Sequence, residues 1–403
     1  MGIMKINVAV VFGGKSVEHE VSIISAVQAM GNLNTEKYRI VPVYLTKDNE
    51  FYYGEDLRNI NLYRNLKGLL ARCRRVIFVR EKGRVRLMKY PGGLFSGGPV
   101  CEVDVVLPVV HGTNVEDGAL QGYLKTLDVP FVGCGVLASA VGMDKYVMKI
   151  LLKEAGFPVL DCVRFTAQSP DNVKRVEEKF TYPVIVKPVN LGSSVGISKA
   201  SSREELEQAL GTAFVFSDKV LVEPAITQLR EINCAVLGDA AEAIASECEE
   251  PFASDEILSY KDKYMDGGKS KNSSGSKGMA GLKRKIPADI APDLREQIRD
   301  LAVRAFQTLD CNGVSRIDFM IDKADGKVWL NEINTIPGSL AFYLWQPVGI
   351  KYPELLERLI ALALKRRRQE EEITYSFDSN ILSMGGPFGG KGGKGGKGGK
   401  AAG

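Results

Sequence analysis

The feature that most constrains this chain is a pair of apolar runs that each stop at glycine. Residues 5–12, KINVAVVF, stop at Gly13-Gly14, and residues 103–110, VDVVLPVV, stop at His111-Gly112. Short runs rich in Val and Ile, bounded by turn residues, form strands buried on both faces. Between them lie a helical pattern over about 21–30 and a further apolar run, IVPVYL. Strand, helix and strand in succession specify an α/β layer. Ligands of such sheets bind at the carboxyl ends of the strands, so the glycine-marked ends are where function is expected.

Near Pro130 the pattern changes. A helix over about 144–155 leads to the strand YPVIVKPV, a glycine–serine loop at 192–196 and a strand at 196–199. A helix over about 204–214 and the strand VLVEPA close this unit. The last unit has ILSYKDKY, a polar stretch, a helix over about 292–309, and two strands, VSRIDFMI and KVWLNEIN. These flank a turn-like 323–326 and read as a hairpin. The expected units are 1–129, an N-terminal α/β substrate-binding domain; 130–221, a central subdomain; 222–365, a C-terminal subdomain with a lid loop; and 366–403, a charged linker and tail. Residues 266–285 are rich in Gly, Ser and Lys, which suits a lid or a disordered loop. KRRRQEEE at 365–372 reads as a solvated, charge-paired helix end, and the closing glycine–lysine repeat as a flexible tail.

Composition excludes several classes. The 403 residues are 25% charged and 45% hydrophobic, an ordinary globular balance. The longest apolar runs fall well short of the ~20 residues of a membrane span, and the N-terminus lacks the pattern of a signal peptide. Seven scattered cysteines with no CxxC pair, and two histidines, give no zinc site and suggest reduced thiols in a cytoplasm. The net charge of +4 is matched by Lys391, Lys394, Lys397 and Lys400 in the tail, so the body offers no electrostatic reason to bind nucleic acid. GKS occurs at 14–16 and 268–270, but a phosphate loop would need glycine at Ala9 or Lys263. No GxGxxG follows the first strand, and GxSxG is absent.

A scattered constellation does carry chemistry. Lys187 lies in the strand VIVKP, just before Gly192-Ser193-Ser194-Val195-Gly196. A lysine ahead of a small glycine-bounded loop can hold one phosphate while loop N–H groups hold another. Asp318, Glu332 and Asn334 lie on the two hairpin strands; Glu332 and Asn334, two apart, share a face that Asp318 can join. Three oxygen ligands on one sheet face suit Mg2+. A lone lysine or aspartate is ordinarily a surface residue; the conjunction in this order is what points to a site.

The motifs GGKSVEHEVS (13–22), HGTNVEDG (111–118), MDKYVMK (143–149), VIVKPVNLGSSVGISK (184–199), YKDKY (260–264), SRIDF (315–319) and NEINTIPG (331–338) together resemble the ATP-grasp ligases. Within them they resemble the D-alanine–D-alanine ligase family, over about residues 5–365. The resemblance implies a three-domain ATP-grasp fold with an N-terminal Rossmann-like domain. It implies ATP, D-alanine and two Mg2+ ions, with Mn2+ as a substitute, acting in peptidoglycan precursor synthesis. Small-molecule partners are expected, with neither nucleic acid nor membrane, and the family leaves room for a homodimer.

By position, the resemblance makes Lys145 and Lys187 phosphate lysines, with Ser194 on the same loop. Glu223 would accept from the adenine amino group, with backbone from Ala225 and Ile226 beside it. Glu231 would accept from the ribose, although its gap from Glu223 is one residue longer than the family's. Asp318, Glu332 and Asn334 are the metal ligands, and Arg316 faces the acyl phosphate and oxyanion. Glu18, rather than Glu20, takes the first D-alanine's ammonium. His111 and Glu116 line that subsite, with loop capping as the other reading of His111. Ser193 and Tyr264 join Glu18 in locking the lid, and Lys263 reaches the γ-phosphate. Gly338 borders the substrates. Relatives carry a serine after this point for the second substrate's carboxylate; here Ser339 or Tyr343 is the candidate, which leaves acceptor specificity open. One rival is a D-alanine–D-serine or D-alanine–D-lactate ligase, and Tyr264 speaks against lactate. The other is a regulatory or carrier protein with a dead site, against which Arg316 speaks.

The tail cannot bury apolar surface. Truncation after about Asp378 is therefore expected to leave turnover and melting temperature unchanged; a large fall in either would show that the tail docks.

Overall fold

The computed structural model describes residues 5–92, 98–192, 195–252 and 284–374. The first sheet contains β1 (Ile6–Gly13), β2 (Tyr38–Leu45), β3 (Phe51–Tyr53), β4 (Arg74–Glu81), β5 (Arg84–Lys89), β6 (Cys101–Val103) and β7 (Val105–Val110). Helices α1 (His19–Asn32), α2 (Leu66–Leu70) and α3 (Ala119–Thr126) accompany it. The strand order is β6-β5-β4-β3-β2-β1-β7, and β1 runs parallel to both β2 and β7. Val8, Val10, Val11 and Phe12 have no exposed surface, as a strand covered on both faces requires.

The run 103–110 was expected to be one strand, and the structure divides it at Asp104. The Asp104 carboxylate accepts from the Asn7 backbone N–H at 2.7 Å and from its side-chain amide at 2.9 Å. β6 and β7 are separated by this residue alone yet stand at opposite ends of the strand order, so the sheet curls until its edges meet.

The second unit runs through α4 (Val136–Met143), α5 (Lys145–Glu154), β8 (Val163–Phe165), α6 (Asp171–Glu177), β9 (Val184–Pro188), β10 (Ser198–Ala200), α7 (Arg203–Phe216) and β11 (Val220–Pro224). Its antiparallel sheet has the order β10-β9-β11-β8. The Asp144 carboxylate caps α5 by accepting from the N–H groups of Tyr146 and Val147, which fixes Lys145 at the helix start. The third unit contains β12 (Leu229–Gly238), β13 (Ala243–Pro251), β14 (Arg284–Lys285), α8 (Pro292–Thr308), β15 (Gly313–Asp322), β16 (Val328–Asn334) and α9 (Tyr352–Glu371). Its order is β14-β13-β12-β15-β16, and β15 and β16 form the expected antiparallel hairpin. α8 buries Ile298, Leu301, Ala302, Ala305 and Phe306, the spacing of one helical face.

The charged run after Leu364 departs from its solvated reading. α9 continues through it to Glu371. Arg366 donates to the carbonyls of Gly133 at 2.7 Å and Phe131 at 2.5 Å, and its guanidinium lies 4.4 Å over the Phe131 ring. Arg367 pairs with Asp128 and with Glu371. A helix end that looks solvent-facing in sequence therefore clamps the C-terminal helix to the segment after α3. Arg366→Met should remove two charge-assisted hydrogen bonds and lower stability by about 2–3 kcal/mol. Arg366→Lys should recover less than half, because an ammonium cannot span both carbonyls as a fork does. Urea midpoints measure this; a loss below about 0.5 kcal/mol, the size of a surface effect, would restore the solvated reading.

Candidate active site

The loops at the ends of β1 and β7 meet around Glu18. Gly13 and Gly14 both have φ +96°, and a Cβ on them would lie 2.3 Å from the Leu45 carbonyl oxygen and 2.4 Å from Val115. Only glycine fits this close approach. Glu18 is 8% exposed, and its Oε2 lies 3.0 Å and 2.8 Å from where a Cβ would stand on Gly112 and Gly192. The glycine–serine loop of the second unit thus begins against the carboxylate of the first. Glu20 instead points outward to an exposed pair with Lys47.

His111 and Glu116 reach from the β7 loop to the segment after β16. His111 Nδ1 lies 2.9 Å from the Ile336 carbonyl, which can only accept, so Nδ1 carries the proton. Nε2 then accepts from the Ser25 hydroxyl at 3.2 Å, and burial holds the ring's pKa down. Ser25 Oγ in turn accepts from the Ser339 N–H at 3.0 Å. The Glu116 carboxylate accepts from the N–H groups of Gly112 and Ile336 at 3.0 and 2.9 Å and from the Thr335 hydroxyl at 3.2 Å. Burial first, and the nearby Glu18 second, push its pKa up to about 7.

A buried charge cluster stands between α5, β9 and β11. Lys187 Nζ and Lys149 Nζ lie 2.5 and 2.9 Å from the two oxygens of Glu223, and all three side chains are at most 5% exposed. Burial would raise the Glu223 pKa, but the two ammonium groups overcome it and hold the carboxyl at about 2. Lys187 also donates to Asn331 Oδ1 at 3.2 Å, in the middle of β16. Lys145 donates to the Leu191 carbonyl at 2.7 Å and lies 3.3 Å from Glu332.

The hairpin face carries the remaining charges. Asp318 stands directly opposite Glu332, and Arg316 opposite Asn334. Arg316 donates through Nε and Nη2 to the two Asp318 oxygens, each at 2.7 Å, and the Asn334 amide donates to Asp318 at 3.0 Å. Among the described residues no group of three His, Cys, Asp or Glu side chains could hold a metal ion. Two carboxylates and an amide oxygen on one face fit Mg2+ chemically. Beyond the strand, Ser339, Leu340 and Ala341 turn consecutively with φ of 51°, 54° and 49°.

The sequence matches the family D-ala D-ala ligase N-terminus over residues 7–134 and D-ala D-ala ligase C-terminus over 151–361. The chain belongs to the D-alanine–D-alanine ligase family. It is 42% identical to a D-alanine–D-alanine ligase of Acetivibrio thermocellus, over 90% of this chain and 96% of the relative. It is 40% identical to that of Caldicellulosiruptor bescii, over 92% and 99%. Among solved structures it resembles the D-alanine-D-alanine ligase from Coxiella burnetii, with a TM-score of 0.76, 29% identity and coverage of 92% and 97%. It also resembles the VanG D-Ala:D-Ser ligase from Enterococcus faecalis, with a TM-score of 0.74, 32% identity and coverage of 89% and 100%. The expected ATP-grasp fold is thereby established, with its three sheets as described.

Within this ligase fold the expected site residues have the following surroundings. Both Glu223 oxygens face lysines, one toward Lys149 and the other toward Lys187. The Ala225 N–H is taken by the Pro183 carbonyl at 3.0 Å; Ile226 stays half-buried beside it. His111 and Glu116 tie the β7 loop to Thr335 and Ile336 beyond β16. Ser339 has no exposed surface and its hydroxyl donates to Gln28 at 2.7 Å. Gly338 opens this turn and Tyr343 lies near its end. Glu231 sits on β12 opposite Met320. Ser193, Ser194, Lys263 and Tyr264 lie outside the described residues. The sequence reading missed Lys149, Asn233, Glu249 and Arg284; the i, i+4 spacing of Lys145 and Lys149 was the one available signal.

Glu116 gives the site a pH dependence. With a folded pKa of about 7, above the ordinary glutamate value of 4.5, the unfolded chain ionises first as pH rises. Stability from this group is therefore full below pH 4.5 and falls between 4.5 and 7, on the order of 3 kcal/mol. Glu116→Gln should flatten that fall in urea midpoints taken from pH 4.5 to 8; an unchanged slope would reassign the titration.

Proposed function

We propose that the protein joins two D-alanine molecules to D-alanyl-D-alanine, converting ATP to ADP and phosphate, and so supplies peptidoglycan synthesis in a cytoplasm. The observation that carries this reading is the tie through Thr335 and Ile336. It brings the Glu18 loop of the first unit against the Arg316–Asp318–Glu332 face of the third. One reactant's ammonium and the charge of a transferring phosphoryl group thus have partners at one site. The relatives of this chain named as D-alanine–D-alanine ligases support the same substrate. The D-alanine–D-serine alternative has a structural neighbour but no feature of this site that favours it.

The γ-phosphoryl group passes to the carboxylate of the first D-alanine, giving D-alanyl phosphate. The amine of the second D-alanine then attacks the carbonyl carbon, and phosphate leaves. Glu18 holds the first ammonium and so orients its carboxylate. Lys145 and Lys187 bind the ATP phosphates, with Ser194 and Lys263 as further contacts, and Glu231 takes the ribose. Asp318, Glu332 and Asn334 would hold two Mg2+ ions, or Mn2+, which neutralise charge on the phosphates. Arg316 donates to the tetrahedral oxyanion, where a fixed donor contributes most. Ser193 and Tyr264 close the lid over Glu18 and exclude water from the acyl phosphate. A homodimer is part of this reading.

Two measurements test it. ATP-dependent phosphate release, with product mass across a panel of D-amino and D-hydroxy acids, should favour D-alanine as acceptor; a dominant D-alanyl-D-serine or D-alanyl-D-lactate product would replace the reading. Glu332→Gln removes one negative charge at the metal face and should lower turnover at least a hundredfold, about 2.7 kcal/mol, with the fold retained. A rate within threefold of wild type at saturating Mg2+ would remove Glu332 from the metal site.

A further inference from the structure

Strand register lines up one row of polar side chains across the third sheet. Glu332, Asp318, Asn233 and Glu249 occupy directly opposed positions on β16, β15, β12 and β13. Arg284 on β14 stands opposite Pro251, two residues beyond Glu249 and so on the same face. At ~4.8 Å per strand, the row from Glu332 to Glu249 is about 14 Å long. The reaction above uses only the Glu332–Asp318 half.

The other half is charged and buried. The side chains of Arg284 and Glu249 are 9% and 3% exposed and pair at 2.7 Å. Asn233 donates to Glu249 at 3.1 Å, and the Tyr343 hydroxyl donates to it at 3.4 Å. The Arg284 guanidinium lies 4.0 Å over the Tyr343 ring. The Arg316 charge also acts on that tyrosine. A buried ion pair adds little stability over apolar residues of the same volume, so a pair kept beside the reacting groups points to recognition.

The second substrate brings an amine that reacts and a carboxylate that survives. Glu18 serves the first substrate's ammonium and Arg316 the oxyanion, so the surviving carboxylate needs a cation of its own. Ser339 is committed to Gln28. A planar guanidinium matches a carboxylate with two parallel N–H donors. We propose that Arg284 anchors the carboxylate of the second amino acid, with Tyr343 as its platform and with Glu249 and Asn233 as positioning residues. This rests on the ligase reading above.

The test offers D-alanine and D-alaninamide, which lacks the carboxylate, as competing acceptors, with both products quantified by mass. Wild type should favour the acid at least tenfold. Arg284→Met should bring the two products within threefold of each other and raise KM for the second D-alanine at least tenfold, with KM for the first within twofold. Arg284→Lys should keep part of the discrimination, which guards against a variant that fails to fold. An acid-to-amide ratio in Arg284→Met equal to wild type, or equal losses for both acceptors, would overturn the assignment. Failure of the parent reading would look different: the wild type itself would make no D-alanyl-D-alanine.

Discussion

The site depends on two residues of backbone. Thr335 and Ile336 leave β16 carrying the Asp318–Glu332 face behind them, and they are gripped at once by His111 and Glu116. The Ile336 carbonyl and N–H are both used, by groups that come from a loop on another sheet. That grip acts with the apolar core that joins the first sheet to Leu340, Leu344, Leu355 and Leu359 to fix the spacing of the Glu18 loop and Arg316. An effective catalyst needs its groups held to within fractions of an ångström of a productive arrangement, and here two buried polar side chains on main-chain atoms impose it.

The second support is the Glu223 cluster, which solves a different problem. Two ammonium groups buried side by side need a counter-charge. Glu223 supplies the counter-charge for Lys187 and Lys149 in a place that water barely reaches. The arrangement is costly unless every charge has a partner, which is why the carboxylate stays ionised.

Much of this was legible in sequence because it depends on local pattern. Gly13-Gly14 and Gly112 announce strand ends, and the spacing of Glu332 and Asn334 announces a shared face. The hairpin followed from two β-rich runs around a turn. What was not legible depends on register across strands far apart in sequence. Nothing local places Asn233 beside Asp318 or Glu249 beside Asn233. Asp104 broke a strand that apolar pattern alone made continuous, because it takes two hydrogen bonds from Asn7. Arg366 looked like solvent-facing charge until α9 brought it to the carbonyls of Phe131 and Gly133.

The separation of these partners along the chain has a consequence for biosynthesis. Ser25 meets Ser339 across 314 residues, His111 meets Ile336 across 225, and Arg366 meets Phe131 across 235. At roughly 5–20 residues per second on the ribosome, Ser25 emerges some 16–63 seconds before its partner exists. Until residues 335 and 336 are made, His111 and Glu116 lack the partners they have in the finished fold. The N-terminal sheet can close early on its own apolar strands, but the groups that define the chemistry are completed only by the last part of the chain to be made. A nascent chain stalled before residue 336 would hold a folded first sheet and no assembled site.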